Sequence, residues 1–228
     1  MALSRSGTPG GRPAGADGVN LAAVTLAGDH VRLEPLARAH VPGLLAAAGT
    51  ELELYKWTFI PQTLADATQY VANALAAQAD GTALPFATVR VSDGVVIGST
   101  RFFDIERWGW PAGHEEAARP GPDTCEIGYT WLAPAAIRTA ANTEAKLLML
   151  RHAFEVWGVR SVCFHTDARN ERSRAALARL GACFEGVLRA HRLGPDLKPR
   201  DSARFSVVAA EWPAVRERLA ARLAAHAA

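Results

Sequence analysis

The chain has 228 residues, 49% of them hydrophobic and 21% charged, and a formal net charge of +2 at pH 7. This composition is ordinary for a globular protein, and the length favours a single domain that buries its core without disulfide staples. The small net charge gives no case for a nucleic-acid partner or an acidic membrane.

The cysteines and the N-terminal segment suggest the cellular setting. Cys125, Cys163 and Cys183 fit neither a disulfide framework nor a zinc site, and their apolar surroundings predict that all three are buried. No segment reaches the roughly 18 apolar residues of a membrane span, and the N-terminus lacks the apolar core of a secretory signal. We therefore expect a cytoplasmic protein with a disordered tail over residues 1–25, rich in Gly, Pro and Ala, and a domain over residues 26–228.

The first predicted elements are one strand and two helices. Alternating apolar residues predict a strand over residues 30–36, and a short helical pattern follows over residues 37–49. A second helix begins after Thr63, because Asp66 lies three residues later and the pair is typical of a capping box. Gly81 ends this helix.

Three strands follow. Residues 85–91 and 95–105 are β-branched runs joined by an Asp-Gly turn, which indicates a hairpin. Residues 106–123 are too rich in Gly and Pro to be regular, and residues 124–132 read as the next strand.

The second half alternates strands with helices. A long helix is predicted over residues 142–158, with one apolar stripe and a glycine stop, before a strand over residues 159–168. A helix follows, capped by Asn170 and ended by Gly181. Two more strands and a last helix opened by Pro213 give the order β-α-α-β-β-β-α-β-α-β-β-α, an α+β arrangement with about seven strands.

The turn before the long helix has two possible roles. Free N–H groups at a helix start attract an anion, and Arg138, Thr139 and Thr143 add a charge and hydroxyl donors. Alternatively the turn is a plain helix start, with Asn142 as N-cap and Glu144 well placed in the first turn.

Two further segments carry candidate chemistry. Asn170 either caps its own helix or reaches a ligand amide, and the hydroxyl of Ser173, one turn on, can give a proton to a leaving group. Glu126 lies in an apolar strand and is either an edge residue facing water or a buried base. His165 and His191 are further candidates for a catalytic role. The sequence shows no spacing of residues that is typical of metal ligands.

In this order, the segments resemble the GNAT superfamily of acyl-CoA N-acyltransferases, and within it the ribosomal-protein N-terminal alanine acetyltransferases. The similarity extends from about Leu26 to Trp212. The segments that carry it are VRLEPL, VVIGSTRFFDI, CEIGYTWL, NTEAKLLMLRHAFE, NERSRAALARLGACFEGVLR and RDSARFSVVAAEWP. The resemblance implies a GNAT fold, with a mixed twisted sheet that has helices on both faces and splays at a cofactor slot between residues 125–132 and 159–168.

The resemblance also implies acetyl transfer from acetyl-CoA to a primary amine, either a peptide N-terminus or a small molecule. The implied cofactor-binding residues are Trp131, Leu132, Arg138, Thr139, Ala140, Ala141, Asn142, Thr143, Asn170 and Ser173. The implied catalytic residues are Glu126, as the base, and Ser173, as the proton donor to the thiolate. Tyr55, Trp57 and Phe59, with Trp108 and Trp110, are candidate acceptor walls or ordinary loop anchors. We expect that the protein binds no nucleic acid, membrane or metal. We expect it to be either a monomer or a homodimer.

The family's pyrophosphate loop reads (Gln/Arg)-x-x-Gly-x-(Gly/Ala), and this chain departs from it. Ile137 stands at the first position and Ala140 at the fourth. Glycine allows close backbone approach or a positive φ, so Ala140 predicts weaker binding, and the pair Ile137→Arg and Ala140→Gly is expected to tighten it. The departure also motivates an alternative function, a GNAT-fold protein that binds CoA poorly and acts as a non-catalytic interaction module.

Overall fold

The computed structural model describes residues 21–227. The strands are β1 (Leu26–Ala27), β2 (Val31–Pro35), β3 (Ala83–Arg90), β4 (Val96–Glu106), β5 (Thr124–Leu132), β6 (Ser161–Asp167), β7 (Cys183–Leu193) and β8 (Pro199–Val208). The helices are α1 (Val41–Ala48), α2 (Leu64–Ala79), α3 (Ala140–Arg151), α4 (Glu171–Leu180) and α5 (Trp212–Ala227). The predicted α+β architecture is confirmed, and the sheet has eight strands because the short β1 pairs with β2.

The eight strands form one mixed sheet in the order β1-β2-β3-β4-β5-β6-β8-β7. All neighbours are antiparallel except β5 and β6, which run parallel because α3 connects them. The late strand-helix-strand unit therefore joins an N-terminal meander to the C-terminal pair β7 and β8.

Each face of the sheet has its own hydrophobic cluster. Cys125 and Ile127 of β5 pack on one face with apolar residues of α3 and α5 such as Leu147 and Leu219. The other face carries α1 and α2, against which Trp131 packs. Trp131 lies on the opposite face from Cys125 and Ile127 because β5 has one extra residue between Gly128 and Trp131, and this bulge reverses the alternation of the residues that follow it.

Several local predictions hold in detail. Thr63 caps α2, since its Oγ1 accepts from Asp66 N while Asp66 Oδ2 accepts from Thr63 N. A π-helical turn over His152–Trp157 extends α3 to Gly158, which has a left-handed φ of 66°. Gly181 ends α4 in the same way, with φ 106°.

The structure corrects the expectation that all three cysteines are buried. Cys125 and Cys163 are buried, but Cys183 is exposed, because it begins β7 at the outer edge of the sheet. Most of the predicted disordered tail, residues 1–20, lies outside the described residues. Within residues 21–227, no helix combines the length and the apolar character needed to cross a bilayer.

Candidate active site

The parallel strands β5 and β6 pair over only three positions. Thr124, Cys125 and Glu126 face Ser161, Val162 and Cys163, and beyond them the strands part. The far half of β5 stays with β4, while the far half of β6 stays with β8. The gap predicted between these strands is therefore present, and α3 and α4 both begin at its open end.

Backbone groups of β5 line this gap. Ala133 N–H donates to Ile97 O of β4, at 2.7 Å. Because successive amides of a strand point to opposite sides, the N–H of Leu132 faces the gap and that of Trp131 faces β4. The contact of Tyr55 agrees with this direction, since its hydroxyl donates to Leu132 O at 2.7 Å from the gap side. Of the two implied cofactor-binding residues of β5, Trp131 and Leu132, only Leu132 presents its N–H to the gap.

The N-cap of α3 is Thr139, not Asn142 as one sequence interpretation had it. Thr139 Oγ1 accepts from Ala141 N at 3.2 Å and donates to Ala136 O at 2.8 Å. Asn142 lies inside the first turn, partly buried beside Thr143. The helix therefore starts two residues earlier than expected, at Ala140.

Arg138, rather than Ala140, carries the unusual backbone of this turn. Its φ is 66°, in the left-handed region that favours glycine, whereas Ala140 is the first helical residue and is buried. The strain considered for a positive φ at Ala140 therefore does not arise there. The exposed Arg138 extends from the turn in front of the helix start.

The start of α4 supplies the second polar group. Asn170 caps the helix, since its Oδ1 accepts from Ser173 N at 3.0 Å. Its capping role is thus established, while the hydroxyl of Ser173 has no hydrogen-bond partner among the described residues. Both side chains are partly buried on the first turn of a helix that follows β6.

Glu126 occupies the last paired position of β5 and is only 3% exposed. Glu126 is therefore buried and does not face water at an edge. Arg192 Nη2 donates to Glu126 Oε2 at 2.8 Å, and His165 Nδ1 lies 2.8 Å from the same oxygen. The other oxygen, Oε1, has no hydrogen bond from residues 21–227 and is free to accept one.

Two histidines stand beside this carboxylate. The ring of His165 lies 4.7 Å from that of His191, and neither ring nitrogen of His165 meets a partner at hydrogen-bonding angles within the described chain. Burial, together with the neighbouring His165 and Arg192, lowers the pKa of His191 below its ordinary value. This shift favours the neutral imidazole of His191.

The loop that carries Tyr55, Trp57 and Phe59 reaches the start of α4. Trp57 and Asn170 line one cavity of about 310 Å³, which Lys56, Arg169 and Arg172 also border. Arg172 Nη2 donates to Leu54 O and holds the loop against the helix. Tyr55 is buried against Leu132, and Phe59 is exposed. Tyr55 and Trp57 thus lie near the gap.

Trp108 lies at the other end of β5. Its backbone N–H donates to the carboxylate of Asp123, the residue before β5. The centre of its ring lies 5.6 Å from the guanidinium carbon of Arg160. Trp110 binds the same carboxylate through Nε1. The structure does not bring these residues together with Tyr55 and Trp57, which favours their interpretation as loop anchors.

Sequence reasoning missed two buried cations near β5. Lys146 Nζ of α3 donates to Thr130 Oγ1 at 2.7 Å and to Thr100 Oγ1 at 3.3 Å. Arg101 of β4 is 6% exposed and lies over the ring of Tyr129. Their burial depends on contacts between distant segments, and each reads in sequence as an ordinary polar residue.

Comparison with known proteins agrees with this geometry. Residues 30–182 match the sequence profile of the Acetyltransferase (GNAT) domain. The chain belongs to the GNAT acetyltransferase family. The resemblance noted in the sequence is thereby confirmed, and acetyl-CoA is the acetyl donor of this family. No curated protein matches this GNAT chain.

Solved GNAT structures align with most of the chain. A GCN5-related N-acetyltransferase from Brucella melitensis is 30% identical over 88% of this chain and 86% of that chain, with a TM-score of 0.75. A protein from T. thermophilus assigned as an acetyltransferase is 35% identical over 87% and 96%, with a TM-score of 0.70. RimJ from Mycobacterium smegmatis, solved in complex with CoA-disulfide, is 20% identical over 88% and 92%, with a TM-score of 0.68, a likeness of fold.

The residues of this GNAT protein fit acetyl-CoA. The parted strands leave an open slot, the Leu132 amide faces it, and the start of α3 meets its wide end. Ala140 adopts an ordinary helical backbone, so its Cβ introduces no strain. The N-terminus of α3 and the exposed Arg138 in front of it suit an anion.

Proposed function

We propose that this protein transfers the acetyl group of acetyl-CoA to a primary amine by direct attack. The observation that supports this best is the position of Glu126. It is the last residue at which β5 and β6 are paired, so a buried carboxylate stands where the two strands part. A thioester held in the gap lies within reach of an amine that this carboxylate deprotonates.

Three groups would hold acetyl-CoA, the acetyl donor. Arg138 and the free amides at the start of α3 suit a pyrophosphate, because a helix N-terminus attracts anions. The amide side chain of Asn170, at the start of α4, suits the pantetheine arm. When bound, acetyl-CoA supplies a thioester carbonyl that is activated toward amines.

The protein's own residues then handle charge and protons. Glu126 Oε1, which has no partner within the described chain, accepts the proton of the attacking amine. Arg192 holds the other oxygen and keeps the carboxylate oriented. The Leu132 N–H faces the gap and stabilises negative charge that develops on a carbonyl oxygen there. Ser173 Oγ would give a proton to the departing sulfur and would regain one from solvent.

The acceptor must be neutral to attack. An α-amino group, with a pKa of about 8, is partly neutral at pH 7, whereas a lysine at about 10.4 is almost fully charged. This difference favours a peptide N-terminus or a small amine of modest basicity over a lysine side chain. A monomer or homodimer and a cytoplasmic location remain predictions.

Replacing Glu126 by glutamine is expected to lower kcat by about 100-fold, because the neutral amide cannot accept a proton. The dissociation constant of acetyl-CoA, measured by calorimetry, is expected to stay unchanged. CoA release with an amine panel provides the rate. Glu115→Gln, an exposed glutamate outside the site, is the matched control and should retain the wild-type rate.

Two outcomes would contradict the proposal. If calorimetry detects no binding at millimolar acetyl-CoA, the donor is wrong and the non-catalytic interaction module becomes the better function. If acetyl-CoA binds, but Glu126→Gln and Ser173→Ala both leave the transfer rate intact, the residue assignment is wrong while the cofactor assignment stands.

A further inference from the structure

Arg101 lies on the same face of the sheet as Glu126. Arg101 pairs with Gly128 and Phe103 pairs with Glu126, in the antiparallel register of β4 and β5. Residues directly opposite each other in such a pair project to the same face. Arg101 and the carboxylate are therefore one strand apart and two residues along, on the face from which an acceptor would reach Glu126.

The guanidinium of Arg101 has no acidic partner in residues 21–227. The side chain is 6% exposed, and Nε is buried without a hydrogen-bond acceptor. An arginine cannot shed its proton, so the positive charge is retained despite burial. Buried charges are normally paired, so an unpaired buried guanidinium is unusual. A bound anion would compensate its charge.

Aromatic rings surround the charge without neutralising it. The guanidinium carbon lies 3.9 Å from the ring centre of Tyr129 and 5.4 Å from that of Tyr70. Such cation–π contacts hold the group in place. A guanidinium over a ring keeps its N–H donors in its own plane, where they remain available to a carboxylate or phosphate.

Tyr129 links this charge to the rest of the site. It sits in a bulge of β5 with a φ of 51°, half exposed, and its ring also contacts Phe103 at 5.0 Å. Arg192, which lies over Phe103 at 5.1 Å, is already paired with Asp104 and Glu126. Arg101 therefore differs from Arg192 in having its charge still uncompensated within the described chain.

We propose that Arg101 binds an oxyanion of the acceptor, so that the acceptor is a small amine bearing a carboxylate or phosphate close to the amino group. This inference rests on the proposed function, since it takes Glu126 as the site of amine attack. Because so little of Arg101 is exposed, a distant part of a large acceptor would not reach it. The anion must therefore belong to the part of the acceptor that enters the site.

Pairs of amines that differ only in the anion test this proposal. Phenylalanine with phenethylamine isolates a carboxylate, and O-phosphoethanolamine with ethanolamine isolates a phosphate. The anionic member of at least one pair is expected to have a kcat/KM about 10- to 100-fold higher, in line with charged hydrogen bonds. The pair with the larger ratio identifies which oxyanion the site prefers.

Arg101→Met is expected to remove that preference by weakening the anionic member and leaving the neutral one within about threefold. Arg101→Lys should keep part of it, because a point charge replaces the fork. Arg179→Met, an exposed arginine of α4, is the control for general loss of positive charge. Denaturant unfolding checks that each variant is folded. If Arg101→Met does not fold, the kcat/KM ratios of the two amine pairs in the wild type still test the proposal.

Calorimetry of each amine in the presence of free CoA gives a readout that needs no chemistry. If the anionic member of a pair binds more tightly and this difference is lost in Arg101→Met, the proposal is supported. If, in addition, no amine of the panel is acetylated, that result counts against the proposed function and not against this proposal. Equal affinities and equal kcat/KM within both pairs would overturn the proposal, as would an Arg101→Met effect that is the same for all four amines.

Discussion

Replacing Lys146 by methionine is expected to raise the free energy of unfolding by about 5 kcal/mol near pH 6, and this gain is expected to vanish as the pH approaches 10.5. Lys146 is 6% exposed, and no carboxylate of the described chain pairs with it. Burial lowers its pKa from 10.5 to about 7.

The direction of the pH dependence follows from proton counts. Between about pH 7 and pH 10.5 the unfolded chain keeps the Lys146 proton and the folded protein has lost it. Stability therefore rises with pH in this window, by about 1.4 kcal/mol per unit, and reaches about 5 kcal/mol in total. Below pH 7 both states are protonated, and the cost of the buried charge is constant.

Methionine suits this position because the remaining polar groups can satisfy each other. Thr100 Oγ1 and Thr130 Oγ1 lie 2.8 Å apart and hydrogen-bond without the amine. The exposed Lys198→Met is the matched control and should change stability by less than about 0.5 kcal/mol at every pH.

Urea unfolding of both proteins from pH 6 to pH 10.5 measures the effect. The difference between Lys146→Met and the wild type is the useful quantity, because burial raises the pKa of the Cys125 thiol and adds an opposing trend to both. A difference that does not change with pH would show that Lys146 does not lose its proton on folding.

Replacing Glu144 by alanine is expected to lower the free energy of unfolding by about 4 kcal/mol, because three backbone amides lose a charged acceptor. Glu144 is buried in α3 and accepts from Asp29 N at 2.9 Å, His30 N at 2.7 Å and Val31 N at 2.6 Å. The carboxylate thus ties the turn between β1 and β2 to the helix that faces the cofactor slot.

Gly28 belongs to the same contact. A Cβ at this position would overlap the carboxyl group of Glu144, which three hydrogen bonds hold in place, so glycine suits this turn. Glu144→Gln is expected to cost less than Glu144→Ala, because its one amide oxygen can still accept from His30 N and Val31 N while its NH₂ group faces Asp29 N.

Urea unfolding at pH 7 and amide hydrogen exchange measure this prediction. Exchange at Asp29, His30 and Val31 should accelerate in Glu144→Ala more than exchange in α5. Glu217→Ala, an exposed glutamate of α5, should change stability by less than about 0.5 kcal/mol. Unchanged protection of the three amides would mean that the carboxylate does not hold this turn.

Local signals predicted most of the elements. The capping box at Thr63, the Asp-Gly hairpin and the glycines at 158 and 181 act over a few residues, so the sequence alone shows them. The resemblance of six segments, taken in their order, to the GNAT superfamily implied the fold and the parting of β5 and β6. The N-cap of α3 was misplaced because Thr139 and Asn142 are both good caps, and packing chose between them.

The sequence by itself thus determined the elements, their order, the family and the candidate base Glu126. Only the tertiary structure decided which side chains meet: Arg192 and His165 at Glu126, three amides at Glu144, and no acid at Lys146 or Arg101 within the described chain. These contacts join residues up to 115 positions apart. Whether a charged side chain is paired depends on its burial and on neighbours from distant segments of the chain. The local sequence pattern predicts neither of these.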